Sequence, residues 1–163
     1  MSDLRIDDEP LDSPDARRLI DSLDAHLTTF PGRHFLELDV EEVADTAGCF
    51  LVARLDGIAV GCGAIRLFDN GAAAEVKRMW ADPAVRGRGV GFAILGALEQ
   101  RARLLGATRL ALETAAYLGP AVRMYERAGF RQCACWGTYA DSPDSLCMTK
   151  DLAADEASAR PAF

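Results

Sequence analysis

Apolar positions recur along the chain with two different periods. Leu4–Ile6 reads as a short strand, followed by a turn holding Pro10 and Pro14. Ser13 suits the cap of a helix with Pro14 at its first position, and Leu19, Ile20, Leu23 and Leu27 then recur at helical spacing. Phe30-Pro31-Gly32 stops that helix, and Asp39 caps a short one predicted through Ala44. Cys49–Ala53, Ile58–Leu67 and Ala73–Trp80 then read as strands, linked by the tight-turn signals Asp56-Gly57 and Asp69-Asn70-Gly71. Three strands in succession with such short links predict an antiparallel meander.

Beyond Asp82-Pro83 the helical period returns. The stretch Arg86-Gly87-Arg88-Gly89-Val90-Gly91 runs straight into a helix with Val90, Ile94, Leu98, Ala102 and Leu105 on one side, ended by Gly106. Arg109–Glu113 is a strand, and Gly119–Ala128 a second amphipathic helix closed by Gly129. The segments from Phe130 onward and over Ser145–Leu152 supply the last two strands. Residues 153–163 read as a flexible tail, which leaves a single domain over residues 1–152.

Charge narrows the function. The 163 residues carry a net charge of −7, which argues against binding nucleic acid or an anionic membrane. The charge is unevenly spread. Residues 1–45 hold 13 acidic side chains against four arginines, whereas residues 77–131 hold ten basic ones against four acidic. An anionic ligand in the middle of the chain and a cationic one near the start would suit that split, as would solvated helix faces. The acidic start has no apolar signal core and no stretch is long enough to span a membrane, so the sequence predicts a cytoplasmic protein. Five cysteines, an odd number without metal-ligand spacing, read as reduced thiols, and no metal is expected.

Gly87, Gly89 and Gly91 lie between a strand and a helix start, where backbone N–H groups and the helix dipole face an anion such as phosphate. A phosphate-binding P-loop would need Lys-Ser/Thr where Phe92 and Ala93 stand. A dinucleotide fingerprint fails at Phe92, and both alternatives call for parallel strands upstream. Arg-x-x-Gly-x-Gly, from Arg86 to Gly91, instead resembles the pyrophosphate signature of the GNAT superfamily of N-acetyltransferases. A second match, running from Ala121 through Met124, Tyr125 and Gly129 to Phe130, is similar to the helix that follows in that family. The resemblance covers roughly residues 48–150.

The resemblance implies an α/β (α+β) fold, a mixed and mostly antiparallel twisted sheet of six to seven strands flanked by about four helices. It implies acetyl-CoA as co-substrate and a primary amine as acceptor, with dimers frequent. By the same likeness, Met79, Trp80 and Ala81 would pair their main chain with the pantetheine arm. Arg86, Gly87, Arg88, Gly89, Val90, Gly91 and Phe92 would hold the pyrophosphate, and Tyr125 would be the general acid at the thioester sulfur. Glu75 and Glu113 match the positions of the base in two branches of the family, Glu75 being taken first and Glu113 second. Relatives often carry asparagine where this chain has Leu118. The acceptor side falls to the first helices and the loop before the last strand, with Arg33, His34 and Tyr139 as candidates. A small-molecule amine is the leading acceptor. A protein lysine or N-terminal amine is the alternative, and a non-catalytic acyl-CoA sensor is disfavoured by the presence of Tyr125, Glu75 and Glu113.

Overall fold

The computed structural model describes residues 2–30 and 48–152. Seven strands form one sheet: β1 (Leu4–Asp8), β2 (Cys49–Leu55), β3 (Ile58–Phe68), β4 (Ala73–Ala81), β5 (Arg109–Ala115), β6 (Arg131–Cys133) and β7 (Ser145–Asp151). They lie in the order β1-β2-β3-β4-β5-β7-β6, and every neighbouring pair is antiparallel except β4 and β5. The described residues hold three α-helices, α1 (Pro14–Leu27), α2 (Val90–Leu104) and α3 (Gly119–Arg127). The short helix expected from Asp39, and the tail from residue 153, lie outside the described residues.

The elements form where the period demanded them. Ser13 caps α1, its hydroxyl accepting from the Ala16 N–H at 3.1 Å with Pro14 just inside. The apolar stripe of α1 packs Ala16, Leu19, Ile20 and Leu23 against Phe50, Val52, Cys62 and Ala64 on one sheet face. On the other face α2 sets Val90, Ile94, Leu98 and Ala102 against Leu51, Ile65, Val76 and Leu112. Each fully buried aliphatic side chain contributes about 1.5–3 kcal/mol. Two apolar faces covered from opposite sides place the sheet between helices.

One expectation is corrected. Cys135 and Cys147 are joined by a disulfide, leaving Cys49, Cys62 and Cys133 as thiols. The pairing joins residues 12 apart in sequence. It arises because the chain turns back over residues 136–144 into β7, bringing the two Cα atoms to 5.1 Å, inside the range a disulfide spans. Among the described residues, no helix is long and apolar enough to cross a membrane.

Candidate active site

The site is built where the sheet comes apart. The parallel ladder runs from Ala73↔Arg109 to Val76↔Leu112 and stops there, although β4 continues to Ala81 and β5 to Ala115. At the same point β4 is bulged against β3, and Arg78 takes a φ of +56°. A bulge adds local twist and bends the strand, which turns β4 away from β5. The Arg78 side chain is tied to Asp24 at 2.8 Å, and its carbonyl lies 3.3 Å from the Cys62 sulfur. The divergence leaves a cleft between the two strands beyond Val76 and Leu112, beside the main chain of Met79, Trp80 and Ala81. Their side chains part: Met79 packs with the α2 core, while Trp80 is buried on the α1 side.

The glycine stretch closes one end of this cleft. Asp82 accepts from the Ala84 N–H at 2.9 Å and starts a single 3₁₀ turn over Pro83–Val85. Gly87 and Gly89 have φ of +79° and +80°, and Gly89 caps α2. A Cβ at either would meet nothing within 4 Å, so glycine is needed there for conformation and not for space. At Gly91 the reason differs, because a Cβ would sit 3.1 Å from the Met124 sulfur. The first-turn N–H groups of α2, from Val90 to Phe92, have no intrahelical acceptor and lie at the positive end of its dipole. The Arg86 Nε–H donates to the Ala81 carbonyl at 3.2 Å with its guanidinium 5.0 Å from the Trp80 ring, and Arg88 reaches the Ser2 hydroxyl at 3.0 Å. Phe92 is exposed at the rim. The cradle fits a pyrophosphate.

Two carboxylates lie on the α1-side face, with different surroundings. Glu75 is 1% exposed and engaged at both oxygens: the Arg66 Nε–H donates to Oε2 at 2.5 Å and the Tyr139 hydroxyl to Oε1 at 2.8 Å. Lys77 Nζ stands 3.9 Å away. Tyr139 is therefore buried with its hydroxyl turned inward. Glu113 is half-buried on the same face, since Glu75 pairs in register with Ala111 two residues before it. Its Oε1 accepts from the Ser145 hydroxyl at 2.8 Å.

Tyr125 is buried under α3 with its ring edge-on to Phe130, centroids 5.9 Å apart. Burial first, and the Glu113 charge second, hold its phenol well above the usual range, so it stays protonated and can donate. Leu118 stands just ahead of α3 and offers no side-chain cap. Arg33 and His34 lie outside the described residues.

Three contributors had no signal in the sequence. Arg66 and Ser145 join the carboxylates only through strand register. His26 joins through helix position: its ring lies 5.2 Å from Trp80 and 5.4 Å from Phe30, and Phe30 lies 5.3 Å from Tyr117. This row of rings crosses from the end of β4 to the end of β5. Burial, and then the nearby Arg86 charge, hold the His26 imidazole below its usual value.

Residues 16–130 match the model of the acetyltransferase (GNAT) family. The chain belongs to that family. It is an acyltransferase, and acetyl-CoA is its co-substrate. It is 38% identical over 136 residues to an "IAA acetyltransferase" from Azospirillum brasilense, covering 83% of this chain and 89% of the relative. A solved protein from Klebsiella pneumoniae, whose assigned activity is acyl-CoA N-acyltransferase, superposes with a TM-score of 0.81 at 33% identity, covering 91% of this chain and 97% of the other. The same fold occurs in yncA from Salmonella typhimurium, solved with its cofactor acetyl-CoA, with a TM-score of 0.70, 19% identity and 99% of each chain covered. The seven-stranded mixed sheet is the fold of this family.

Proposed function

We propose that this enzyme moves the acetyl group of acetyl-CoA to a primary amine of a small molecule. The observation that carries the reading is the β4–β5 ladder that ends at Val76↔Leu112, with the positive-φ glycine turn at the far end of β4. Met79, Trp80 and Ala81 would pair with the pantetheine arm, and the N–H groups from Arg86 to Phe92 would hold the pyrophosphate. Bound acetyl-CoA supplies the activated acetyl group and a thiolate leaving group.

The chain's own residues supply the proton movements. An acceptor ammonium must lose a proton before its nitrogen attacks, and we assign Glu113 as the base, acting directly or through one water. Glu75 matches a base position of the family equally well. Its two oxygens are already engaged by Arg66 and Tyr139, which favours an anchoring role for it. Tyr125, held protonated, gives its proton to the departing sulfur.

A small acceptor is supported by the wall over this face. Trp136 stacks on Phe68 at 6.0 Å, Tyr139 packs edge-on to Trp136, and the Tyr139 hydroxyl is tied to Glu75. A wall pinned at three points suits a metabolite better than a polypeptide that must lie across the cleft. The test is release of free CoA thiol over a panel of small primary amines, amino acids and lysine peptides. Glu113→Gln should lower kcat about 100-fold or more and Tyr125→Phe at least tenfold, and faster turnover of lysine peptides than of any small amine would overturn the acceptor class.

A further inference from the structure

Ser145 is the first residue of β7 and stands opposite Ala115 at the end of β5. Strand ends fray, yet this one is held from two sides. The Ser145 N–H donates to the Ser142 carbonyl at 3.3 Å, and the Cys135 sulfur lies 3.8 Å from the Ser145 carbonyl, a contact rather than a hydrogen bond because the bonded sulfur carries no proton. The Cys135–Cys147 disulfide ties the start of the 136–144 loop to β7 two residues beyond Ser145. Its hydroxyl is thereby kept 2.8 Å from Glu113 Oε1.

A serine hydroxyl that donates its one proton to a carboxylate still has lone pairs to accept from an N–H. The Ser145 hydroxyl can therefore fix which way the Glu113 carboxylate faces and still accept one N–H from a neighbouring group. We propose that Ser145 is a positioning residue for acetyl transfer, its hydroxyl fixing the Glu113 carboxylate and the Cys135–Cys147 disulfide fixing Ser145. The inference rests on Glu113 being the base.

The experiment measures steady-state CoA release from acetyl-CoA and the best-used amine of the panel, with no reductant present. Ser145→Ala should lower kcat five- to twentyfold, leave the KM for acetyl-CoA within twofold, and be rescued by Ser145→Thr, which restores the hydroxyl. Cys135→Ser should lower kcat two- to fivefold in an otherwise wild-type chain and add nothing to Ser145→Ala. Dithiothreitol should reproduce the Cys135→Ser value, since it takes the disulfide to two thiols and is itself oxidised to a cyclic disulfide. Wild-type kcat in Ser145→Ala, or a loss that Ser145→Thr fails to rescue, overturns the role of Ser145. Wild-type kcat in Cys135→Ser overturns the role of the disulfide. Glu113→Gln separates the levels: if it is inactive while Ser145→Ala is unaffected, this inference alone falls, and if it keeps wild-type kcat, the base assignment falls and takes this inference with it.

Discussion

Replacing Glu75 by glutamine separates a structural carboxylate from a catalytic one. The amide oxygen can still accept from Tyr139, but the amide N–H₂ then faces the Arg66 Nε–H, two donors where an ion pair stood 2.5 Å apart. Removing one partner of a fully buried pair costs about 3–5 kcal/mol. Glu75 is buried, whereas the Arg66 side chain is 24% exposed and can recruit water, so the lower end applies, about 3 kcal/mol. For a chain of this size each kcal/mol lowers the melting temperature by about 2–4 °C, giving a drop of roughly 6–12 °C. Tyr139→Phe removes one hydrogen bond to the same charge and should cost about 1.5–3 kcal/mol. Thermal unfolding followed by circular dichroism reads both. CoA release per folded molecule, assayed well below the transition, should stay within about fivefold of wild type for Glu75→Gln. If the variant melts like wild type and loses the factor of about 100 or more expected of a lost base, Glu75 is the base and the anchoring argument is wrong.

The glycines separate two effects. Gly89→Ala forces a left-handed φ on alanine, costing about 1–2 kcal/mol, and should raise the KM for acetyl-CoA severalfold by distorting the N–H cradle. Gly91→Ala gains up to about 1 kcal/mol of helix propensity against a 3.1 Å contact with the flexible Met124 sulfur, so its melting temperature should stay close to wild type. Equal loss in the two variants would show that backbone conformation is not what Gly89 supplies. His26 has a folded pKa below its unfolded 6.5, so its contribution to stability is complete above that pH and is lost as pH falls through the folded value. Denaturant midpoints between pH 7 and pH 5 should therefore fall less steeply for His26→Gln than for wild type, and identical slopes would rule the coupling out.

What the sequence made legible is what local chemistry controls. The meander followed from two turn signals, α1 from Ser13 and Pro14, and the left-handed turn ahead of α2 from Gly87 and Gly89. The partners of Glu75 did not follow, because Arg66 and Tyr139 are 9 and 64 residues away and meet it only through register and a returning loop. Ser145 was hidden for the same reason, and so was the Cys135–Cys147 bond. The charge split was visible but partly misleading. Asp8 binds Arg101 and Asp24 binds Arg78, so some of the acidic start neutralises the basic middle within the fold instead of facing ligands.

The most direct measurement is CoA release in the presence and absence of each amine in the panel, with the product weighed by mass spectrometry. Amine-dependent release, with one acetyl group gained by a small amine and a kcat that falls at least tenfold in Tyr125→Phe, is the predicted result. Saturable binding of acetyl-CoA with no amine-dependent release from any member would contradict it and leave a chain that holds the donor without using it.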